Sequence, residues 1–246
     1  MVIRLDKYLA DAGQGTRSAV KSLVRQGCVL VNDKVVKKSD IKVDTEKDKI
    51  TVNGKLLKYA EFEYYMLNKP AGVVSATTDS WDKTVIELIR EDKRRDLFPV
   101  GRLDKDTEGL LVITNDGILA NKLLTPGKHV EKTYYARVDG EVTDDTVKHF
   151  ADGVDIGDDK PTLPAELVIR NVSKTDEGTA SEIEITITEG RYHQIKRMFE
   201  AVDMKVAYLK RLSMGKLNLD KRLKCGEYRK LTSEELDILK NNDCDK

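Results

Sequence analysis

Asp104 stands in residues 99–117, PVGRLDKDTEGLLVITNDG, among residue types that suit a reactive carboxylate. Gly101 admits a backbone turn that side chains resist, Arg102 sets a permanent cation two positions before the acid, and Leu103 anchors the turn in apolar surroundings. A carboxylate so placed can serve as a nucleophile or as a base. From spacing alone, an aspartate that caps something nearby in its loop is the favoured reading, because Asp and Gly are common in loops. Beyond Thr107, Glu108 and Gly109, residues 110–114 read as a short apolar strand, closed by the turn formers Asn115, Asp116 and Gly117.

A second cluster lies at residues 189–199, EGRYHQIKRMF, where a strand passes into a helix. Ile195, Met198 and Phe199 supply a buried side, and Arg191, Lys196 and Arg197 put positive charge near the helix start. His193 invites a general-base reading but has no partner visible in the sequence. Residues 131–138, EKTYYARV, read as a strand in which Tyr134 is, by residue type, a sheet aromatic. Residues 68–72, NKPAG, form a stiff turn after a strand at 62–67.

The elements that must hold these groups follow from pattern. Residues 84–91 are expected to be helical, as are 118–124, 143–150 and 233–239, with strands at 165–172, 181–188 and 209–217. At the N-terminus, Leu5, Tyr8, Leu9 and Ala12 recur at helical spacing. Gly13 and Gly15 end that helix before Thr16, which caps a second one. In the second helix Val20, Leu23 and Val24 are apolar, whereas Arg17, Lys21 and Arg25 fall at four-residue steps and share a face. Two hairpins follow, turning at Asn32-Asp33 and Asn53-Gly54.

Composition bounds the function. The 246 residues hold 35% charged and 6% aromatic side chains, and no apolar run approaches the ~20 residues of a membrane span. The charged start MVIRLDKYLADAG lacks the apolar core of a signal peptide. A cytoplasmic location is expected. Cys28, Cys225 and Cys244 are odd in number and widely spaced, so reduced thiols are expected rather than a disulfide or metal framework. The formal net charge of zero is a cancellation: residues 1–58 carry 13 Lys and Arg against 7 Asp and Glu, while residues 139–189 hold 14 acids against 4 bases. Such segregation allows a basic binding surface on a neutral protein. The acidic stretch is expected to be scaffold facing away from it.

Two resemblances sharpen this reading. RLDKYLADAG through VLVNDKVV is similar to the S4 RNA-binding domain, and a row of cations on a helix can track a phosphate backbone without reading sequence. The motifs GRLD, EGLL and NDG closely resemble the catalytic loop of the pseudouridine synthases, in particular the group named for the small-subunit ribosomal RNA enzyme RsuA. KPAG, the strand containing Tyr134, and GRYHQIKRMF resemble further motifs of that family.

The resemblance implies an α+β protein: residues 1–58 as an S4-like domain of two helices plus a small sheet, 59–61 as a linker, and 62–246 as a catalytic domain on a mixed, mainly antiparallel sheet with flanking helices. It implies isomerisation of a uridine in ribosomal RNA or a pre-ribosomal particle, without cofactor or metal, by a monomer. Asp104 would be the essential carboxylate and Lys196 the cation paired with it, in a position where many members have arginine. Tyr134 would stack on the base or lie beside the acid, Ile195 would form an apolar wall, and Arg102 would fill the gap left by the extruded nucleotide or hold a flanking phosphate. Arg4, Arg17, Lys21, Arg25, Lys69, Arg191 and Arg197 are expected to contact RNA, though Lys69 could equally be an exposed lysine without a role. Small-subunit RNA is the expected target, by analogy with an S4-like domain and no long basic tail after Lys246. Large-subunit RNA, a non-catalytic ribosome-assembly factor and a uracil-releasing hydrolase are the alternatives.

Overall fold

A computed structural model of the protein describes residues 1–89, 94, 96–175 and 178–241. The chain forms two compact units, Met1–Glu63 with Ile89–Leu97, and Tyr64–Leu88 with Phe98–Lys246. No helix among the described residues is long and apolar enough to cross a membrane.

The smaller unit runs β1 (Val2–Arg4), α1 (Leu5–Asp11), α2 (Arg17–Arg25), β2 (Val29–Val31), β3 (Lys34–Val35), β4 (Lys42–Asp44), β5 (Ile50–Val52) and β6 (Lys55–Leu56). Thr16 caps α2 by accepting from the Ala19 amide at 3.2 Å. Both predicted hairpins form, and Asn32, Asp33, Asn53 and Gly54 take the left-handed backbone that such turns require. Leu5, Tyr8 and Leu9 pack with Val20, Val24, Val29, Ile50 and Val52 in one apolar core. The antiparallel pair β1–β4 was not foreseen, because three-residue strands leave too little alternation to read.

The boundary also differs from the expected one. Tyr59, expected in a linker, stacks on Tyr8 with ring centroids 4.9 Å apart and donates to Asp11 at 3.1 Å. Arg94 pairs with Asp96 and donates to the Ala60 carbonyl, so the segment Ile89–Leu97 joins this unit.

The larger unit contains β7 (Tyr64–Lys69), β8 (Phe98–Pro99), β9 (Glu108–Thr114), α3 (Gly117–Leu124), β10 (Lys132–Asp139), α4 (Asp144–Asp152), β11 (Glu166–Thr175), β12 (Gly178–Ile187), α5 (Gln194–Glu200), β13 (Lys205–Met214), β14 (Leu217–Asn218), β15 (Tyr228–Lys230) and α6 (Ser233–Lys240). Among the described residues these strands make one nine-stranded sheet, in the order β11-β12-β10-β13-β9-β7-β15, with β14 on β13 and β8 on β9. Every described pairing between these named strands is antiparallel except β9 with β13. The expected α+β architecture on a mixed, mainly antiparallel sheet is therefore present.

Leu110 and Val112 of β9 pack against Leu119, Ala120 and Leu123 of α3 and Leu239 of α6. Helices α4 and α5 meet through Phe150 and Phe199, ring centroids 4.9 Å apart. The parallel contact requires Gly109: a Cβ there would collide with the Arg211 carbonyl oxygen. The helix expected at 84–91 is only a 3-10 turn, Ile86–Leu88, with residues 90 and 91 outside the described ones. Val85 instead donates to Val74 across a parallel bridge between Val74 and Thr84, which ties the segment to an extended neighbour.

Candidate active site

The Asp104 loop is held from beneath by the turn that follows β7. Lys69 is fully buried, and its ammonium donates to the carbonyl oxygens of Thr107 at 2.8 Å, Asp104 at 2.9 Å, Pro70 at 3.1 Å and Lys105 at 3.3 Å. Ser75 clamps the start of the loop, donating to the Leu103 carbonyl at 2.8 Å and accepting from its amide at 3.0 Å. The Gly72 amide donates to Lys105 at 2.7 Å. Gly101 has φ +77°, and a Cβ there would press on Leu124 at 2.8 Å, so the turn before Asp104 needs glycine.

Burial lowers the Lys69 pKa to about 8, although the charges of Asp106, Asp104 and Glu108 work the other way. Lys69, expected either to contact RNA or to be exposed without a role, is instead closed off from solvent, with its ammonium bonded to backbone carbonyls of the turn and the loop.

Around Asp104 the groups form a compact charged cluster. Lys196 Nζ lies 3.5 Å from Asp104 Oδ2 and hydrogen bonds to both oxygens of Asp106, at 2.7 and 2.8 Å. The expected lysine–aspartate pair is present, but its shortest bonds go to Asp106, which the sequence reading passed over. Partial burial raises the Asp106 pKa, and the Lys196 ammonium overcomes this to hold it below the ordinary carboxylate value. His193 Nε2 lies 3.5 Å from Asp104 Oδ1, so this histidine does have a neighbour. It precedes α5 with φ +48° and stacks on the exposed Tyr192 ring at 3.8 Å. Gln194 folds that turn by donating to Glu189 and accepting from the Arg191 amide, both at 2.9 Å.

Asp104 and its neighbours line a cavity of about 850 Å³, together with Arg102, Tyr134, Ile195 and Arg211. Tyr134 and Ile195 are buried, giving the cavity an aromatic and an aliphatic surface. Arg102 is exposed and, among the described residues, makes no hydrogen bond or ion pair. The arrangement can admit a planar ring between apolar groups and bring a carboxylate to its attached sugar.

A family profile described as RNA pseudouridylate synthase matches residues 63–201. The chain belongs to that family. As a pseudouridine synthase it is an isomerase, of the kind with an N-terminal S4 domain, whose profile matches residues 3–50. It is 47% identical over 238 residues to an uncharacterized RNA pseudouridine synthase, YtzG, of Bacillus subtilis, covering 96% of this chain and 98% of the relative. It is 39% identical to a ribosomal small subunit pseudouridine synthase A of Vibrio vulnificus, covering 96% and 98%. It is also 39% identical to a ribosomal large subunit pseudouridine synthase B of Bacillus subtilis, covering 96% and 95%. A crystal structure of a pseudouridylate synthase matches with TM-score 0.66 and 37% identity, covering 96% of this chain and 99% of that one.

The synthase's expected RNA contacts divide. Arg17, Lys21 and Arg25 are exposed on α2, as the four-residue spacing requires. Arg4, Arg17 and Lys21 border one shallow cavity with Lys7, but Arg4 is already bonded to Asp6 at 2.7 and 3.0 Å. Arg191 and Arg197 are not free cations. Arg191 bonds to Glu189, Asp158 and the carbonyls of Lys160 and Pro161, and Arg197 bonds to Asp158 at 2.6 Å and to the Ile156 carbonyl. The acidic stretch, expected to face away, folds back here through Asp158, whose pKa falls because Arg197 and Arg191 bond to it. Both arginines serve to fix the loop over 156–161.

Proposed function

We propose that this synthase converts a uridine of small-subunit ribosomal RNA to pseudouridine, with Asp104 as the reacting carboxylate. The C1′–N1 bond breaks, the uracil ring turns, C5 bonds to C1′, C5 gives up its proton and N1 gains one. The observation that carries the reading is Asp104 at the cavity, 3.5 Å from the Lys196 ammonium, in a chain of this family. Lys196 sets a positive charge 3.5 Å from Asp104, which offsets the cost of holding a carboxylate where the incoming base displaces water. Tyr134 and Ile195 enclose the extruded base, and Arg102 meets the RNA at the mouth. Arg17, Lys21 and Arg25 hold flanking phosphates.

Likeness to small-subunit enzymes along the whole chain supports the target. The equal likeness to a large-subunit enzyme makes the second RNA the alternative. Pseudouridine mapping across both ribosomal RNAs from cells lacking this protein tests the assignment: a single missing small-subunit position is expected, and a missing large-subunit position would overturn it.

A further inference from the structure

Arg211 is 2% exposed, and its Nη2 is buried without a hydrogen-bond partner. Its Nε donates to the Leu110 carbonyl at 2.7 Å, which fixes the guanidinium on the cavity-lining side of β13. Arg211 is registered opposite Tyr134 of β10, and Lys132, two residues before Tyr134, lines the same cavity. The Lys132 ammonium donates only to the Val130 carbonyl, at 2.8 Å. Among the described residues no carboxylate pairs with either cation. Burial and the nearby Arg211 charge lower the Lys132 pKa to about 8. A buried arginine with a half-buried lysine near it and no acid paired to either is a costly arrangement, and it is relieved when negative charge arrives.

We propose that Arg211, supported by Lys132, is a catalytic group that donates a hydrogen bond to a carbonyl oxygen of the extruded uracil and stabilises the negative charge that develops there. Depth selects the base over a phosphate. The Asp104 side chain is 29% exposed, so the part of the nucleotide that meets it, with the attached sugar, stays near the mouth, whereas Arg211 is closed off from solvent. A phosphate carries chain on both sides and cannot follow; the base is the part of the nucleotide that reaches farthest in. Nη2 is then a donor waiting for a planar acceptor.

The chemistry requires such a donor by any route. When C1′–N1 breaks, its electron pair leaves with uracil and spreads from N1 onto the carbonyl oxygens, whether Asp104 bonds to C1′ or takes the C2′ proton. If Asp104 adds at C6 instead, the electron pair of the C5–C6 double bond moves toward O4. In each case negative charge reaches a carbonyl oxygen before C5 bonds to C1′, and a preorganised cationic donor in a dry site favours that state. Arg211 therefore serves the reaction without deciding which role Asp104 plays.

The inference rests on the reading of Asp104 above, and the test separates the two. Single-turnover isomerisation would be followed on ribosomal RNA lacking modification, with Arg211→Met, Arg211→Lys and Asp104→Asn compared with wild type at saturating RNA. Arg211→Met should lower the rate about 10²-fold, the usual effect of losing one such donor, with RNA affinity changed less than about threefold. Arg211→Lys, which keeps the charge and the fold, should fall between. RNA carrying 5-fluorouridine supplies a readout that a merely structural arginine would not move. Fluorine stabilises the uracil anion by itself, so the rate ratio of wild type to Arg211→Lys for C-glycoside formation should shrink with the fluorinated base. An equal ratio for both bases, or a well-folded Arg211→Met with wild-type rate, overturns the proposal. Activity in Asp104→Asn would overturn the reading of Asp104 instead.

Discussion

The Lys69 ammonium donates to the backbone carbonyl of Asp104 itself, at 2.9 Å, from a side chain with no exposure to solvent. Asp104, the carboxylate proposed to react, is thus positioned through its main chain by a cation at the end of β7, while a second cation, Lys196, lies beside its side chain. Three N–H groups of one lysine serve four carbonyls of the turn and the loop.

Replacing Lys69 by Met should leave those carbonyls unpaired and destabilise the protein by roughly 3 kcal/mol, with loss of activity at temperatures where the fold survives. Denaturant unfolding of the variant measures the first, and single-turnover assay the second. The pH dependence has a definite sign. The folded pKa of about 8 lies below the ordinary 10.5, so between these values the unfolded chain binds more protons. The burial cost is full below pH 8 and is relieved as pH rises toward 10.5. The stability of wild type relative to Lys69→Met should therefore grow from pH 7.5 to 9.5, and a constant difference would deny the shifted pKa.

Lys196→Met should remove the cation shared by Asp104 and Asp106 and leave two neighbouring carboxylates unneutralised. We expect a rate loss of about 10²-fold. Lys196→Arg, which retains the charge, should keep much more activity. Carboxyl NMR titration should show the Asp106 pKa rising in the Met variant, since Lys196 is what holds it down. Equal rates in the two variants would mean that the charge has no part in the reaction.

How much of this was legible in the sequence depends on how far each residue's partners lie along the chain. Asp104, Tyr134, Ile195 and Lys196 could be assembled because each falls in a motif that the family resemblance names, and all four line one cavity here. The role of Lys69 was hidden, because a lysine at a turn is ordinarily solvated and nothing local shows that a loop 35 residues on will cover it. Arg191 and Arg197 read as free cations because Asp158 lies more than 30 residues earlier. Arg211 is buried only because β13 lies between β10 and β9, a matter of strand order that periodicity does not reveal. The helix over 84–91 failed where a bridge to Val74 competed with local pattern.

Neutralising Arg17, Lys21 and Arg25 together should weaken RNA binding and reduce the slope of log affinity against log salt by roughly 2 to 3, as three phosphate contacts are lost. Filter binding across a salt series reads both. Single-turnover chemistry at saturating RNA should be little changed. An unaltered slope would make the row an ordinary solvated face.

The central claim is tested most directly by Asp104→Asn, assayed for pseudouridine formation and for RNA binding on the same preparation. The amide keeps the shape of the side chain and removes its capacity as nucleophile or base. The account predicts RNA affinity close to wild type with no detectable pseudouridine; turnover at a rate comparable to wild type would contradict it.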